Sequence, residues 1–222
     1  MLKIMVFAPH PDDDIIACGG SMAKHIKQGN QVQVVYLTSG EAGSHKYSKD
    51  QLAAIREEEA RQAAASLGIK QLSFLRMPDG YISYTQENLL ALVNIIREGT
   101  PSLIYVPHAQ DAVRDHKFTW QLVSEACNKA AGPWFQVCPA PPWSTPGILA
   151  YEVWTPLQEP SYIEDISPFM ADKLRALRCH QSQLEIQYDE AVTGLNRYRG
   201  VMSGQGQYCE AFKVIKMGGP LC

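Results

Sequence analysis

Groups able to hold a divalent cation stand within the first fourteen residues of this chain. Pro9, His10, Pro11, Asp12, Asp13 and Asp14 follow an apolar run from Ile4 to Ala8, placing one imidazole and three carboxylates at its end. Such groups are costly to gather beside a buried strand unless a cation or a solvated pocket uses them. A second set, His108, Asp111, Asp115 and His116, follows the apolar run that closes at Val106, and Ser39, Gly40 and Glu41 follow another. A His, an Asp and a second His make a zinc site with one position left for water, and the ion keeps a net positive charge. The chemistry this allows is hydrolysis by a metal-acidified water, which needs a nearby carboxylate to take its proton. Adjacent aspartates on a tight turn can divide that labour, one ligating while the other faces the water.

The elements that must position these groups alternate along the chain. A strand to Ala8 leads to a helix opened by Cys18, Gly19 and Gly20 and ending near Gly29, and Val32 to Leu37 forms a second strand. The spacing then predicts a helix from about Gln51 to Leu67 and a strand at Gln71 to Leu75. A helix at Gln86 to Glu98, the strand Ser102 to Val106 and a helix from Asp115 to Ala131 follow. Alternation of this kind predicts an α/β fold, Rossmann-like and three-layered with a mainly parallel sheet, whose right-handed crossovers bring the strand ends to one rim. We read residues 1–222 as a single domain. From Gly132 to Pro146 the chain carries five of its fourteen prolines with Trp134 and Trp143, so this stretch is expected to be a loop. Its length places it beside the pocket, where the tryptophans either stack on a sugar ring or anchor the loop. A strand pattern from Gly147, helices at Pro168 to Arg178 and Tyr188 to Arg199, and a closing strand at Tyr208 to Ile215 complete the reading.

Composition narrows the partners. The 222 residues carry a formal charge of -3 and no Lys/Arg block, which argues against nucleic acid and against a polybasic membrane surface. The expected ligand is a small molecule. No stretch approaches the roughly 20 apolar residues of a membrane span, and no secretory signal precedes the His/Asp cluster, so a cytoplasmic protein is expected. A homo-oligomer stays open. Cys18, Cys127, Cys138, Cys179, Cys209 and Cys222 lack CxxC spacing and read as reduced thiols, Cys18 among them as a packing residue rather than a ligand. No GxGxxG follows the first strand, which disfavours a nucleotide-binding module.

Pro9-His10-Pro11-Asp12-Asp13 with Gly19-Gly20 resembles the PHPDD…GG signature of the LmbE-like N-acetylglucosaminylphosphatidylinositol de-N-acetylase (PIG-L) family. Thr38-Ser39-Gly40-Glu41 is similar to its TxGE turn, Arg56 to Ala60 to its RxxE helix, and Pro78-Asp79-Gly80 to its DG loop. Asp115-His116 is similar to its DH pair, and Ala176 to Gln183 to its late ALxxHxSQ helix. The resemblance covers nearly the whole chain. It implies a zinc-dependent enzyme that removes acetyl from an amino sugar, with His10, Asp13 and His116 as ligands and Asp12 as general base. Asp115 would orient an imidazole, Arg56 would meet substrate hydroxyls or developing charge, and Glu41, Asp79, His108 and His180 would line the site. One departure matters: the family commonly has HxDH, and here Val113 stands where the first His belongs. The resemblance implies that His108, Arg114 or His180 takes that role, or that catalysis is weakened.

Plainer roles compete for several of these residues. Asp14 is the better candidate for capping the following helix. His108 fits pocket wall or ordinary loop equally well, Glu41 a loop amide, Arg56 a solvated helix face, and His180 a core-packed helix face. The substrate expected is an N-acetylated sugar conjugate. A thiol-sugar or amino-acid conjugate, or metal binding with weakened catalysis, are the alternatives.

Overall fold

The computed structural model describes residues 1–218. Five parallel strands form the centre of its sheet: β1 (Lys3–Ala8), β2 (Gln31–Tyr36), β3 (Gln71–Phe74), β4 (Leu103–Pro107) and β5 (Gly147–Tyr151). Two more strands, β6 (Tyr162–Asp165) and β7 (Cys209–Met217), join beyond β5, with β7 antiparallel to both neighbours. The spatial order is β3-β2-β1-β4-β5-β7-β6.

Both faces of the central strands are covered, which is why they read as continuous apolar runs. Ile4, Val6 and Ala8 of β1 enter one core layer, and Met5 and Phe7 enter the other. The first layer packs under helices α1 (Asp13–Lys27), α2 (Lys49–Leu67) and α5 (Met170–Leu177). The second packs under α3 (Gln86–Gly99) and α4 (Arg114–Ala131), while α6 (Tyr188–Ser203) lies along β7. The expected three-layer, mainly parallel α/β architecture is the one observed.

Several local expectations are corrected. Helix α1 begins at Asp13, six residues before the glycine pair, and kinks at Cys18. The glycines serve close packing instead of opening the helix: a Cβ on Gly20 would overlap Ile166, which precedes α5. Asp14 does not cap α1, because its carboxyl is buried inside the first turn and accepts the Tyr36 hydroxyl at 3.0 Å. His180 is not on a helix; it follows α5 in the turn before a 3-10 segment at Gln181–Gln183. Strand β6, four residues at the sheet edge, was not anticipated.

The proline-rich loop lies at the opposite rim from the metal-binding residues. Helix α4 runs back from the carboxyl rim of the strands, so the loop that leaves it meets the start of β5. There Trp143 donates its indole N–H to the Pro101 carbonyl, and Lys129 sits 4.3 Å over the Trp134 ring. Buried Arg97 of α3 gathers five carbonyls of this region: Ala130, Phe135, Lys129, Gly132 and Trp134. A guanidinium at the negative end of α4 is well placed to satisfy them. The two tryptophans are loop anchors.

Cys18, Cys127, Cys138, Cys179 and Cys209 are free thiols, while Cys222 lies outside the described residues. Among the described residues, no helix is long and apolar enough to cross a membrane.

Candidate metal centre

Strand order reverses between β1 and β4, and the crevice at such a switch point is where open α/β sheets take ligands. His10 and Asp13 follow β1, Glu41 follows β2, Asp79 follows β3, and His116 stands in the first turn of α4 after β4. Four chain segments therefore converge on one crevice.

His10, Asp13 and His116 bring one donor atom each within 4.8 Å of one another. Asp13 Oδ2 lies 3.1 Å from His10 Nδ1 and 3.3 Å from His116 Nε2. Beyond them stand further carboxylates: Asp79 Oδ1 is 3.1 Å and Asp115 Oδ2 3.5 Å from His10 Nε2, and Asp111 Oδ2 is 3.5 Å from His116 Nδ1. His10, Asp79 and Asp115 also fall within the same radius. The two sets differ in what their atoms already do. Asp79 Oδ2 accepts the Ala42 N–H, and Asp115 accepts the N–H groups of Gly80 and Ile82. Asp13 Oδ1 and both nitrogens of His116 are buried with no aligned partner. Buried donors and acceptors without partners are costly, and a cation held between Asp13 and His116 would satisfy the carboxylate and one imidazole nitrogen together.

The electrostatics agree. Burial by itself would lower both imidazoles, yet the surrounding carboxylates win: His10 is raised well above its ordinary value and His116 is lifted to about 9. Burial likewise works to raise Asp13, Asp79 and Asp111, and the two imidazoles hold all three below the usual carboxylate range. Without a metal the centre draws protons onto its histidines, and a divalent cation would displace them.

Asp12 is built differently from its neighbour. Its backbone takes φ 134°, a region that costs a non-glycine residue about 1–3 kcal/mol and persists only where the surroundings enforce it. They do: its carbonyl accepts the N–H groups of Ile15 and Ile16, and Arg56 donates to the Pro11 carbonyl at 2.7 Å. Burial pushes the Asp12 carboxyl up to about 6, opposed by Arg56 and reinforced by Asp13.

Arg56 is 4 % exposed, so it is no solvated face of α2. Its guanidinium reaches the Gly40 carbonyl at 3.1 Å and Asp12 Oδ2 at 3.1 Å. Gly40 has φ 66°, and a Cβ there would overlap this guanidinium. Glu41 accepts the Asp79 N–H at 2.8 Å and so clamps the loops after β2 and β3 together. His180 is buried near Arg56 and Asp13, both nitrogens unpartnered, and is pushed down to about 3 by burial and then by Arg56. Its turn is tied to α2 through Glu59, which accepts the N–H and hydroxyl of Ser182 at 2.7 Å each.

Of the residues weighed for the histidine missing at Val113, His108 lies away from the centre and Arg114 on the Gly80 loop at its edge. His108 pairs its Nε2 with the Thr155 carbonyl at 2.7 Å and accepts the Gln110 N–H, lining a separate cavity with Trp120 and Lys213. Arg114 donates to the Gly80 carbonyl and lies 4.4 Å over the Phe118 ring. Asp111 stands beside His116 Nδ1, while Asp115, expected to orient an imidazole, stands beside His10. The signal for Asp111 was present, an aspartate five residues before a candidate ligand histidine. Trp154, after β5, also reaches this rim with no sequence mark beyond being aromatic.

Comparison with known proteins bears on the family and the fold. A family described as GlcNAc-PI de-N-acetylase (PIG-L) matches residues 5–127. The diacetylchitobiose deacetylase of Thermococcus kodakarensis is 30% identical over 226 residues, covering 96% of this chain and 83% of that protein. The N,N'-diacetylchitobiose deacetylase structure from Pyrococcus horikoshii superposes with a TM-score of 0.88 at 28% identity, covering 96% of this chain and 83% of that one. A 4-carboxy-2-hydroxymuconate hydratase from Pseudomonas putida also gives a TM-score of 0.88, at 23% identity over the whole of both chains, so the fold alone does not decide the reaction. Family match, identity over nearly the whole length and shared fold together place this chain in the PIG-L (LmbE-like) family.

Proposed function

We propose that this protein is a metal-dependent N-deacetylase that hydrolyses the acetamide of an amino sugar or its glycoside. The observation that carries the reading is the buried meeting of His10, Asp13 and His116, with Asp13 Oδ1 and both His116 nitrogens unpartnered, beside Asp12. Two imidazoles and one carboxylate suit zinc, with His10 using Nδ1 and His116 using Nε2. A divalent ion held there supplies Lewis acidity, which lowers the pKa of a water and draws charge from an amide oxygen.

The remaining work falls to the chain. Asp79 and Asp115 at His10 Nε2, and Asp111 at His116 Nδ1, fix the tautomer and plane of each imidazole. Asp12 takes the proton of the attacking water and returns it to the departing amine. Arg56 keeps Asp12 ionised and aimed. His180, a neutral imidazole beside Arg56, offers the substrate one hydrogen bond and is the residue best placed to stand in for the histidine absent at Val113. The free cysteines suit a reducing, cytoplasmic setting.

The test is metal analysis of the purified protein coupled to amine release from a panel of N-acetylated sugars, amino acids and thiol-sugar conjugates. One zinc per chain, loss of amine release on chelation and preference for the sugars are the expected results. A metal-replete protein that releases amine from none of them would overturn the reading. A second reading, metal binding with slow turnover, is favoured by Val113 at the start of α4, where no imidazole is supplied. Val113→His would then raise kcat strongly.

A further inference from the structure

We propose that Trp154, backed by Tyr188, is the platform on which a pyranose ring of the substrate stacks; this rests on the deacetylase reading above. The two rings stand 5.3 Å apart, centroid to centroid, at 62°. Trp154 follows β5 at the carboxyl rim, and its backbone N–H donates to Asp111 Oδ2 at 3.2 Å, the same oxygen that faces His116. The Tyr188 hydroxyl, raised first by burial, also feels Asp12, Arg56 and Asp13.

The segment carrying Trp154 is rigidly held. Glu152 pairs with Arg199 at 2.6 Å and accepts the Leu157 N–H, while Arg199 donates to the Leu157 carbonyl. Thr155 accepts the Ala112 N–H on its hydroxyl and meets His108 Nε2 with its carbonyl. Yet the indole at its centre is 41 % exposed. A preorganised backbone presenting a half-exposed tryptophan near the hydrolytic groups suits a ligand with an apolar C–H face and a polar rim, which a pyranose has. The other tryptophan of similar exposure, Trp134, lies at the far rim under the Lys129 ammonium.

The test compares wild type, Trp154→Ala, Trp154→Phe and Trp134→Phe, zinc-loaded, on the methyl glycoside of N-acetylglucosamine and on N-acetylethanolamine, which has no ring. Trp154→Ala is expected to raise KM for the glycoside roughly ten-fold, as loss of one aromatic contact would, with kcat within about two-fold. Trp154→Phe should recover most of that KM, while N-acetylethanolamine turnover and Trp134→Phe are unchanged. An unchanged KM in Trp154→Ala, or a Phe variant as impaired as the Ala one, overturns the platform and leaves the deacetylase reading standing. If wild type cleaves no N-acetyl sugar, that reading falls, and the platform is decided on metal-free protein. The methyl glycoside must then shift the Trp154 indole N–H resonance and spare those of Trp134 and Trp143; no selective shift overturns it.

Discussion

Arg56 Nη2 stands 3.1 Å from Asp12 Oδ2 with both side chains buried, while the same nitrogen holds the carbonyl of Pro11, one residue earlier. One side chain of α2 thereby sets both the charge and the backbone of the residue that we assign to proton transfer. Asp12, at φ 134°, meets Arg56, while its neighbour Asp13 meets His10 and His116, so two adjacent aspartates enter different surroundings.

Arg56 opposes the burial that lifts Asp12 to about 6. Its removal raises Asp12 further, and a base must be ionised to act. In Arg56→Met the acidic limb of the pH profile of kcat/KM should therefore move to higher pH, measured as amine release across the acid range.

Gly40 tests the same contact from the other side. An Ala there is strained by about 1–2 kcal/mol at φ 66° and its methyl overlaps the Arg56 guanidinium. Gly40→Ala should lower kcat/KM on the order of 10²-fold through misplacement, with Tm lowered by only a few degrees in calorimetry.

Asp111 accepts backbone N–H groups of Val113, Trp154 and Thr155 besides facing His116 Nδ1. Asp111→Asn keeps much of the shape and removes the charge. Zinc affinity should fall roughly 10–100-fold, read by competition with a chromophoric chelator.

His25, away from the crevice, makes stability depend on pH. It is buried, with Nε2 3.0 Å from the Tyr105 hydroxyl, and burial drives it from 6.5 down to about 4. The unfolded chain therefore binds the extra proton more readily between those values. Its contribution is complete above pH 6.5 and is lost as pH falls toward 4. His25→Gln should show a shallower loss of denaturation midpoint across that window than wild type.

The metal centre was readable in sequence where its residues are contiguous, in His10 to Asp13 and in Asp115-His116, and where apolar runs marked the strands that deliver them. Where geometry separates neighbours it was left open. Asp115 was expected to orient one or other imidazole, and because consecutive helical residues point about 100° apart it faces His10 and the Gly80 loop. Asp111, still in the loop, reaches His116 instead. Arg56 had two readings, a substrate contact and a solvated face suggested by the three glutamates that follow it; 3.6-residue periodicity gives each glutamate its own direction, with Glu57 meeting Ser39 and Arg76, and Glu59 meeting Ser182. The proline-rich loop was assigned to the pocket by its length, whereas a helix returning from the carboxyl rim must end at the other one. Trp154 had no periodicity or motif to mark it, and only the assembled rim gives it a place.

The central claim is that Asp12 moves the proton while its neighbour holds the metal, and one comparison addresses it most directly: zinc content and kcat of Asp12→Asn against wild type on an N-acetylglucosaminide. The account predicts unchanged zinc and a kcat lower by about 10²–10⁴-fold. A variant with full zinc and wild-type kcat would contradict it.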